Sequence, residues 1–130
     1  MQKIKFFRCC CCGNIVHMMR DAGVPMCCCG RKMEMLCPNS VNASEKMHKP
    51  VISIDNGVVC VDVGAMPHPM VPEHYIQWIF LQTEQGGQFR WLMPGDRPRA
   101  AFALCGDKPV AAYAYCNLHG LWMTEICECV

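Results

Sequence analysis

Val51-Ile52-Ser53-Ile54-Asp55-Asn56-Gly57-Val58-Val59-Cys60-Val61-Asp62-Val63 reads as two β-strands joined by a two-residue turn. β-Branched residues dominate both arms, and Asn-Gly between such runs is a strong short-range hairpin signal. The same texture continues outward. Tyr75–Thr83 is apolar on both faces, as a central strand is. Gln85-Gly86-Gly87 turns into Phe89–Leu92, Pro94-Gly95-Asp96 into Ala100–Leu104, and Gly106-Asp107 into Val110–Cys116. Six or seven short strands at regular spacing, with almost no helical periodicity and no internal repeat, predict a mainly β chain. An immunoglobulin-like antiparallel β-sandwich is the architecture that such a pattern builds.

Residues 1–37 are different. They are dense in Cys, Met and Gly and poor in core-building aliphatics. A segment below about 40 residues cannot bury enough apolar surface alone and needs a metal or disulfides. Pro38-Asn39-Ser40 supplies a break with turn chemistry. Two domains are expected, 1–37 and 38–130.

Charge is nearly balanced, with 12 basic and 11 acidic residues and no long basic run, which argues against a nucleic-acid partner. No apolar run approaches the roughly 20 residues of a membrane-spanning helix, so no membrane partner is expected. The 13 cysteines are an odd number, and several are adjacent, which disfavours a disulfide scaffold. Met1-Gln2-Lys3-Ile4-Lys5-Phe6-Phe7 is charged and lacks the apolar stretch of a signal peptide. Thiolates holding metal in a reducing cytoplasm fit these features.

Two constellations carry that chemistry. Cys9-x-x-Cys12-Gly13 and Cys28-Cys29-Gly30 offer two thiolate pairs, enough to close a tetrahedral site that suits zinc or iron. Cys10, Cys11 and Cys27 leave the register open, and the glycine placements favour Cys9, Cys12, Cys28 and Cys29. The second constellation is His48-x-Pro50, His68-Pro69, Glu73-His74 and Cys116-Asn117-Leu118-His119. All four histidines lie at loop edges, where a rigid sandwich builds its sites. Four neutral imidazoles and a thiolate suit a redox metal with an open position. His17 has no such context and reads as a surface residue.

These segments resemble the desulfoferrodoxins, the two-iron class of superoxide reductase. The resemblance runs through Phe7-Arg8-Cys9-x-x-Cys12-Gly13-Asn14, Cys28-Cys29-Gly30-x-Lys32-Met33 and Glu45-Lys46-x-His48-x-Pro50-Val51. It continues through Val63-Gly64, Pro67-His68-Pro69-Met70, Glu73-His74-Tyr75-Ile76-x-Trp78-Ile79 and Leu92-x-Pro94-Gly95, and ends on Tyr115-Cys116-Asn117-Leu118-His119-Gly120-x-Trp122. It implies a desulforedoxin- or rubredoxin-like FeCys4 domain on Cys9, Cys12, Cys28 and Cys29, in which zinc is an alternative occupant as isolated. It implies a neelaredoxin-like sandwich with iron on His48, His68, His74, His119 and Cys116. The implied activity is one-electron reduction of superoxide to hydrogen peroxide without dioxygen release, with a rubredoxin-like electron donor and a homodimeric assembly. The alternative is an iron electron-transfer protein without an open catalytic site.

One departure stands out. In the family, Glu and Lys immediately precede the first ligand histidine. Here Met47 intervenes between Lys46 and His48. His48 keeps its distance to Pro50 and remains the expected ligand, with Met47 its rival by spacing from Glu45. The catalytic roles that the resemblance implies for Glu45 and Lys46 are therefore displaced by one residue, and Lys49 offers a substitute charge. Cys60 and Cys105 read as small buried hydrophobes and the 11 methionines as core filler. Cys127-x-Cys129 reads as a possible metal or partner contact. Cys10, Cys11, Cys27 and Cys37 have no assigned role.

Overall fold

The computed structural model describes residues 3–126, so Cys127 and Cys129 lie outside the described residues. The chain forms two compact units, Met1–Cys37 and Pro38–Val130. In the first, strands are too short to show any sequence period. β1 (Phe6–Arg8) pairs with β2 (Ile15–His17), while β3 (Cys27–Cys28) and β4 (Arg31–Lys32) form a separate hairpin. β5 (Glu34–Met35) adds to the other edge of β1. Phe6, Cys9 and Met33 are the buried apolar residues of this unit. That is too little apolar burial to hold it by a core alone.

The second unit opens with a single helical turn, α1 (Glu45–His48), and continues with β6 (Pro50–Asp55) and β7 (Val58–Val63). Asn56 and Gly57 both adopt positive φ, 48° and 76°, as a type I′ hairpin turn requires. β8 (Ile76–Thr83), β9 (Gly86–Trp91), β10 (Arg99–Ala103), β11 (Pro109–Cys116) and β12 (Gly120–Glu125) follow. They form two antiparallel sheets, ordered β10-β7-β6 and β12-β11-β8-β9. β8, apolar on both faces, is an inner strand of the second sheet, as its sequence predicts. β12 has no alternation to announce it, because Leu121 and Trp122 are both buried.

Val59, Val61 and Val63 of β7 face Ile79 and Leu81 of β8 and Ala112, Ala114 and Cys116 of β11 in one core, with Phe102 fully buried among them. The alternation of β7 that turns its valines inward turns Cys60 outward, where it is half-buried. Cys105 is exposed in the bend after β10. Neither is the buried hydrophobe that composition suggests. Methionine is likewise a minor core component. Met33 is buried and Met70 packs on the core, but Met19, Met26, Met35, Met66 and Met93 are exposed. β-Branched and aromatic residues already fill the sandwich interior.

Phe102→Ala leaves a cavity at the centre of this core. A loss of about 3–5 kcal/mol is expected for such a truncation, read as a lower denaturant midpoint at unchanged slope.

Candidate metal centres

The first centre is built by two tight turns. After β1 the chain folds back, with Gly13 N–H on the Cys9 carbonyl at 2.9 Å and Cys9 N–H on the Asn14 carbonyl at 2.9 Å. The β3–β4 turn consists of Cys29 and Gly30, both at positive φ. For Cys29, at φ 53°, this is an uncommon conformation that turns its side chain towards the first loop. The sulfurs of Cys9, Cys12, Cys28 and Cys29 all lie within 4.8 Å of one another. Cys12 and Cys28 are 3.6 Å apart, Cys28 and Cys29 4.0 Å, and Asn14 Nδ2 donates to Cys28 Sγ at 3.8 Å. Cys10, Cys11 and Cys27 stay outside this group and are exposed. The register favoured by the glycines is thus the one whose sulfurs converge.

The thiols of this cluster are unequal. Cys9 is drawn down to about 6, chiefly by the backbone N–H of Cys12. Cys29 is pushed up to about 12, chiefly by its hydrogen bond with the Cys12 side chain, and Cys28 is raised for the same reason. Crowding with the other sulfurs holds Cys28 and Cys29 protonated. A metal cation displaces those protons and removes the repulsion, so the donor set fits a tetrahedral thiophilic ion.

The second centre is assembled from four places in the sandwich. α1 delivers His48, the loop after β7 delivers His68, and an isolated bridge between Val71 and His74 fixes the third histidine. β11 ends on Cys116, and the turn into β12 carries His119. The imidazoles stand at the corners of a near-square. Successive ring centroids are 4.7 Å (His48–His68), 4.6 Å (His68–His74), 5.1 Å (His74–His119) and 4.8 Å (His119–His48) apart. The His48–His74 diagonal is 6.3 Å, and adjacent rings are inclined by 72° to 84°. Ligand atoms of His48, His68, His74 and Cys116 lie within 4.8 Å of one another. His119 completes the set through Nδ1, 3.1 Å from His48 Nε2 and 3.8 Å from Cys116 Sγ.

Backbone carbonyls set the tautomers. His48 Nδ1–H donates to the Ser44 carbonyl and His68 Nδ1–H to the Pro69 carbonyl, each at 2.7 Å, which leaves both Nε2 atoms as bare acceptors aimed inward. The Nε2 atoms of His68 and His74 are buried without a hydrogen-bond partner among the described residues. Each such orphan costs about 1–3 kcal/mol. A metal ion satisfies both at once, and that is the best evidence that the residues fit one. Burial holds His68 down at about 4 and lowers His48 and His74, while burial raises the Cys116 thiol. Backbone N–H groups of Leu118 and His119 act against that rise. Cys116, His48 and His68 are buried, whereas His74 and His119 are half-exposed, so the square opens to solvent on one side.

Three further residues hold the square, and none of them contributes a metal ligand. Asn117 Oδ1 accepts from Tyr75 N–H at 2.9 Å and its Nδ2 donates to the Glu73 carbonyl at 3.0 Å, so it clamps both neighbours of His74. Trp122 stacks on His48 at 4.9 Å and donates to the His119 carbonyl at 3.1 Å. Gly64 is where the backbone of α1 touches the loop after β7. A Cβ there would lie 2.5 Å from the Lys46 carbonyl oxygen and 3.1 Å from His48 N. Asn117 and Trp122 sit inside the quoted C-x-x-H segment, but only the contacts reveal their work.

Glu45 and Lys46 occupy the exposed first turn of α1. At about 100° per residue, Lys46 falls on the opposite side of the turn from His48, and Glu45 on its near side. His48, not displaced by the extra residue, is among the converging ligand atoms. His17 is exposed on β2, beside the Phe6 ring.

Fold and site together define a β-sandwich with a histidine–thiolate metal centre, joined to a small tetracysteine unit. Residues 40–125 match the family model described as Desulfoferrodoxin. A desulfoferrodoxin of Syntrophotalea carbinolica is 40% identical over 124 residues, covering 95% of this chain and 98% of the relative. The crystal structure of the superoxide reductase from Treponema pallidum superposes with a TM-score of 0.81 at 34% identity, over 95% of this chain and 100% of that one. A one-iron superoxide reductase from Giardia intestinalis matches 62% of this chain and 97% of its own length, at 32% identity and TM-score 0.54. The chain belongs to the desulfoferrodoxin family.

Two outcomes follow for the metal-free protein. His68 has a folded value near 4, below its ordinary 6.5, so the unfolded state binds more protons between those values. Stability should therefore decline as pH falls from about 6.5 towards 4, read from denaturant midpoints. At pH 7 the buried histidines are already neutral and the Cys116 thiol still carries its proton. Loading the second centre should release that proton, and Cys116→Ala should abolish the release, as measured by calorimetry in buffers of different ionisation enthalpy.

Proposed function

We propose that this protein is a superoxide reductase. It reduces superoxide by one electron to hydrogen peroxide, without dioxygen release, at iron held by His48, His68, His74, His119 and Cys116. The observation that carries the reading is the square of imidazoles over one buried thiol, with two orphaned ring nitrogens and one side open to solvent. Iron held by these five donors would have room for a further ligand, which a closed electron-transfer site would not. Iron bound there supplies the electron, and a thiolate ligand favours release of the reduced product.

The protein's own residues shape the rest. Cys116 lies on the buried side, so the substrate enters from the side where His74 and His119 are exposed. Product formation takes up two protons, and the same opening admits the water that supplies them. The superoxide anion is drawn by positive charge. Lys49, immediately after His48, provides it, whereas Lys46 stands on the far side of the turn and Glu45 lies on the face of α1 nearest the ligand. Cys9, Cys12, Cys28 and Cys29 hold a second iron, or zinc as isolated, in domain 1–37, with domain 38–130 carrying the catalytic centre. A small rubredoxin-like protein returns the electron in a homodimeric, cytoplasmic enzyme of superoxide detoxification. No helix of the described residues is long and apolar enough to cross a membrane.

The test is an anaerobic superoxide challenge of the ferrous protein, with visible absorbance, peroxide and dioxygen recorded together. A ferric–thiolate band should appear with one peroxide per catalytic iron oxidised and no dioxygen. Cys116→Ser should lose the band. Dioxygen evolution, or iron whose spectrum superoxide leaves unchanged, would overturn the assignment.

A further inference from the structure

The outer face of the β12-β11-β8-β9 sheet carries a line of aromatic rings that the metal centre does not use. Tyr115 immediately precedes Cys116, one peptide unit from the thiol. Its ring stacks on Trp78 with centroids 5.5 Å apart and planes inclined by only 7°. Trp78 stands directly opposite Trp91 across the β8–β9 ladder. Opposed residues on antiparallel strands have Cβ atoms about 4.5–5.5 Å apart. Successive strand side chains alternate between faces, so the Tyr115 ring lies on the other face of β11 from the Cys116 thiol and is joined to it through the backbone. The line begins one peptide unit from that cysteine and ends in water, for Trp91 is 77% exposed.

Packing explains part of this arrangement. Tyr115 is 5% exposed and contributes apolar burial whatever else it does. Trp91 does not fit that account. It lies at the edge of the sheet, and a mostly hydrated indole gains little from the hydrophobic effect. Phe89 beside it, at 5.1 Å, is also half out of the sheet. Of the ring side chains in this line, only tyrosine and tryptophan give up one electron readily.

We propose that Tyr115, Trp78 and Trp91 form a relay that carries an oxidising equivalent from the catalytic centre to the protein surface. The inference rests on the superoxide reductase reading, because the oxidant is that reaction's product. One hydrogen peroxide takes two electrons and two protons to become two waters. Ferrous iron held by the five donors would supply the first electron. The second comes through the relay, in which Tyr115 and Trp78 are oxidised and refilled in turn. The net donor is Trp91, whose indole loses one electron and its N–H proton to solvent. The damage is thereby moved away from Cys116, whose oxidation beyond the sulfenic acid is irreversible.

The experiment mixes ferrous, iron-loaded protein with one equivalent of hydrogen peroxide without oxygen, in the presence of a hydroxyl-radical scavenger. Oxidised residues are mapped by peptide mass spectrometry, organic radicals are recorded by rapid-freeze electron paramagnetic resonance, and the ferric–thiolate band is followed in parallel. Wild type should accumulate oxidation at Trp91. Tyr115→Phe and Trp78→Phe, which keep a ring in place, should each reduce it to the level of metal-free protein and shift it to Cys116. If one of these variants does not fold, the other decides. Trp91→Phe, a surface change, should remove the tryptophan radical. Unmodified Trp91 in wild type, or equal modification in wild type and the interrupted variant, overturns the relay. Absence of the ferric–thiolate band sinks the superoxide reductase reading and the relay with it; a normal band with unmodified Trp91 sinks the relay alone.

Discussion

Asn117 makes the two hydrogen bonds on which the catalytic half of the molecule depends. β8 and β11 pair along most of their length, and their register slips between Tyr115 and Cys116, at the point where the sheet reaches the metal centre. Beyond the slip the ladder no longer fixes where His74 stands relative to Cys116 and His119. The Asn117 side chain restores that relation by gripping Tyr75 N–H and the Glu73 carbonyl, while its own N–H reaches the Tyr75 carbonyl at 3.2 Å. Each bond contributes only about 0.5–1.5 kcal/mol net. Their geometric effect is larger, because they convert two loops into one frame.

The two units solve the same stability problem in different ways. Pro38–Val130 has a continuous core of valine, isoleucine, leucine and phenylalanine, and its metal centre is a burden that the core supports. Two buried imidazole nitrogens stay unsatisfied in it without a cation. Among the described residues of Met1–Cys37, three apolar side chains are buried, and its four converging sulfurs stand where a core would.

The sandwich was legible because its strands are long enough to show composition and turn signals. Asn56-Gly57 marks its hairpin, and β8 announces a central strand by being apolar throughout. The strands of the first unit are two or three residues long, and α1 is four, which is shorter than any period. The residues whose donor atoms converge were legible by type and spacing. Their atoms were not: His119 turns Nδ1 towards the square, whereas His48 and His68 use Nδ1 on backbone carbonyls and present Nε2. Gly64, Asn117 and Trp122 act through contacts between segments far apart in sequence. Met47 shows the limit of motif spacing, for an extra residue in a helical turn changes not only distance but direction.

Trp122 gives the catalytic centre a built-in optical reporter. Its indole lies flat against the His48 ring at 4.9 Å, fully buried, with its N–H held by the carbonyl of His119. An excited indole in that position shares its surroundings with any ion bound by those two histidines. An open-shell ion quenches such emission, and a closed-shell ion leaves it bright. With Trp78 and Trp91 replaced, the fluorescence of this one side chain would distinguish iron from zinc in the same pocket, with no label attached and no substrate added.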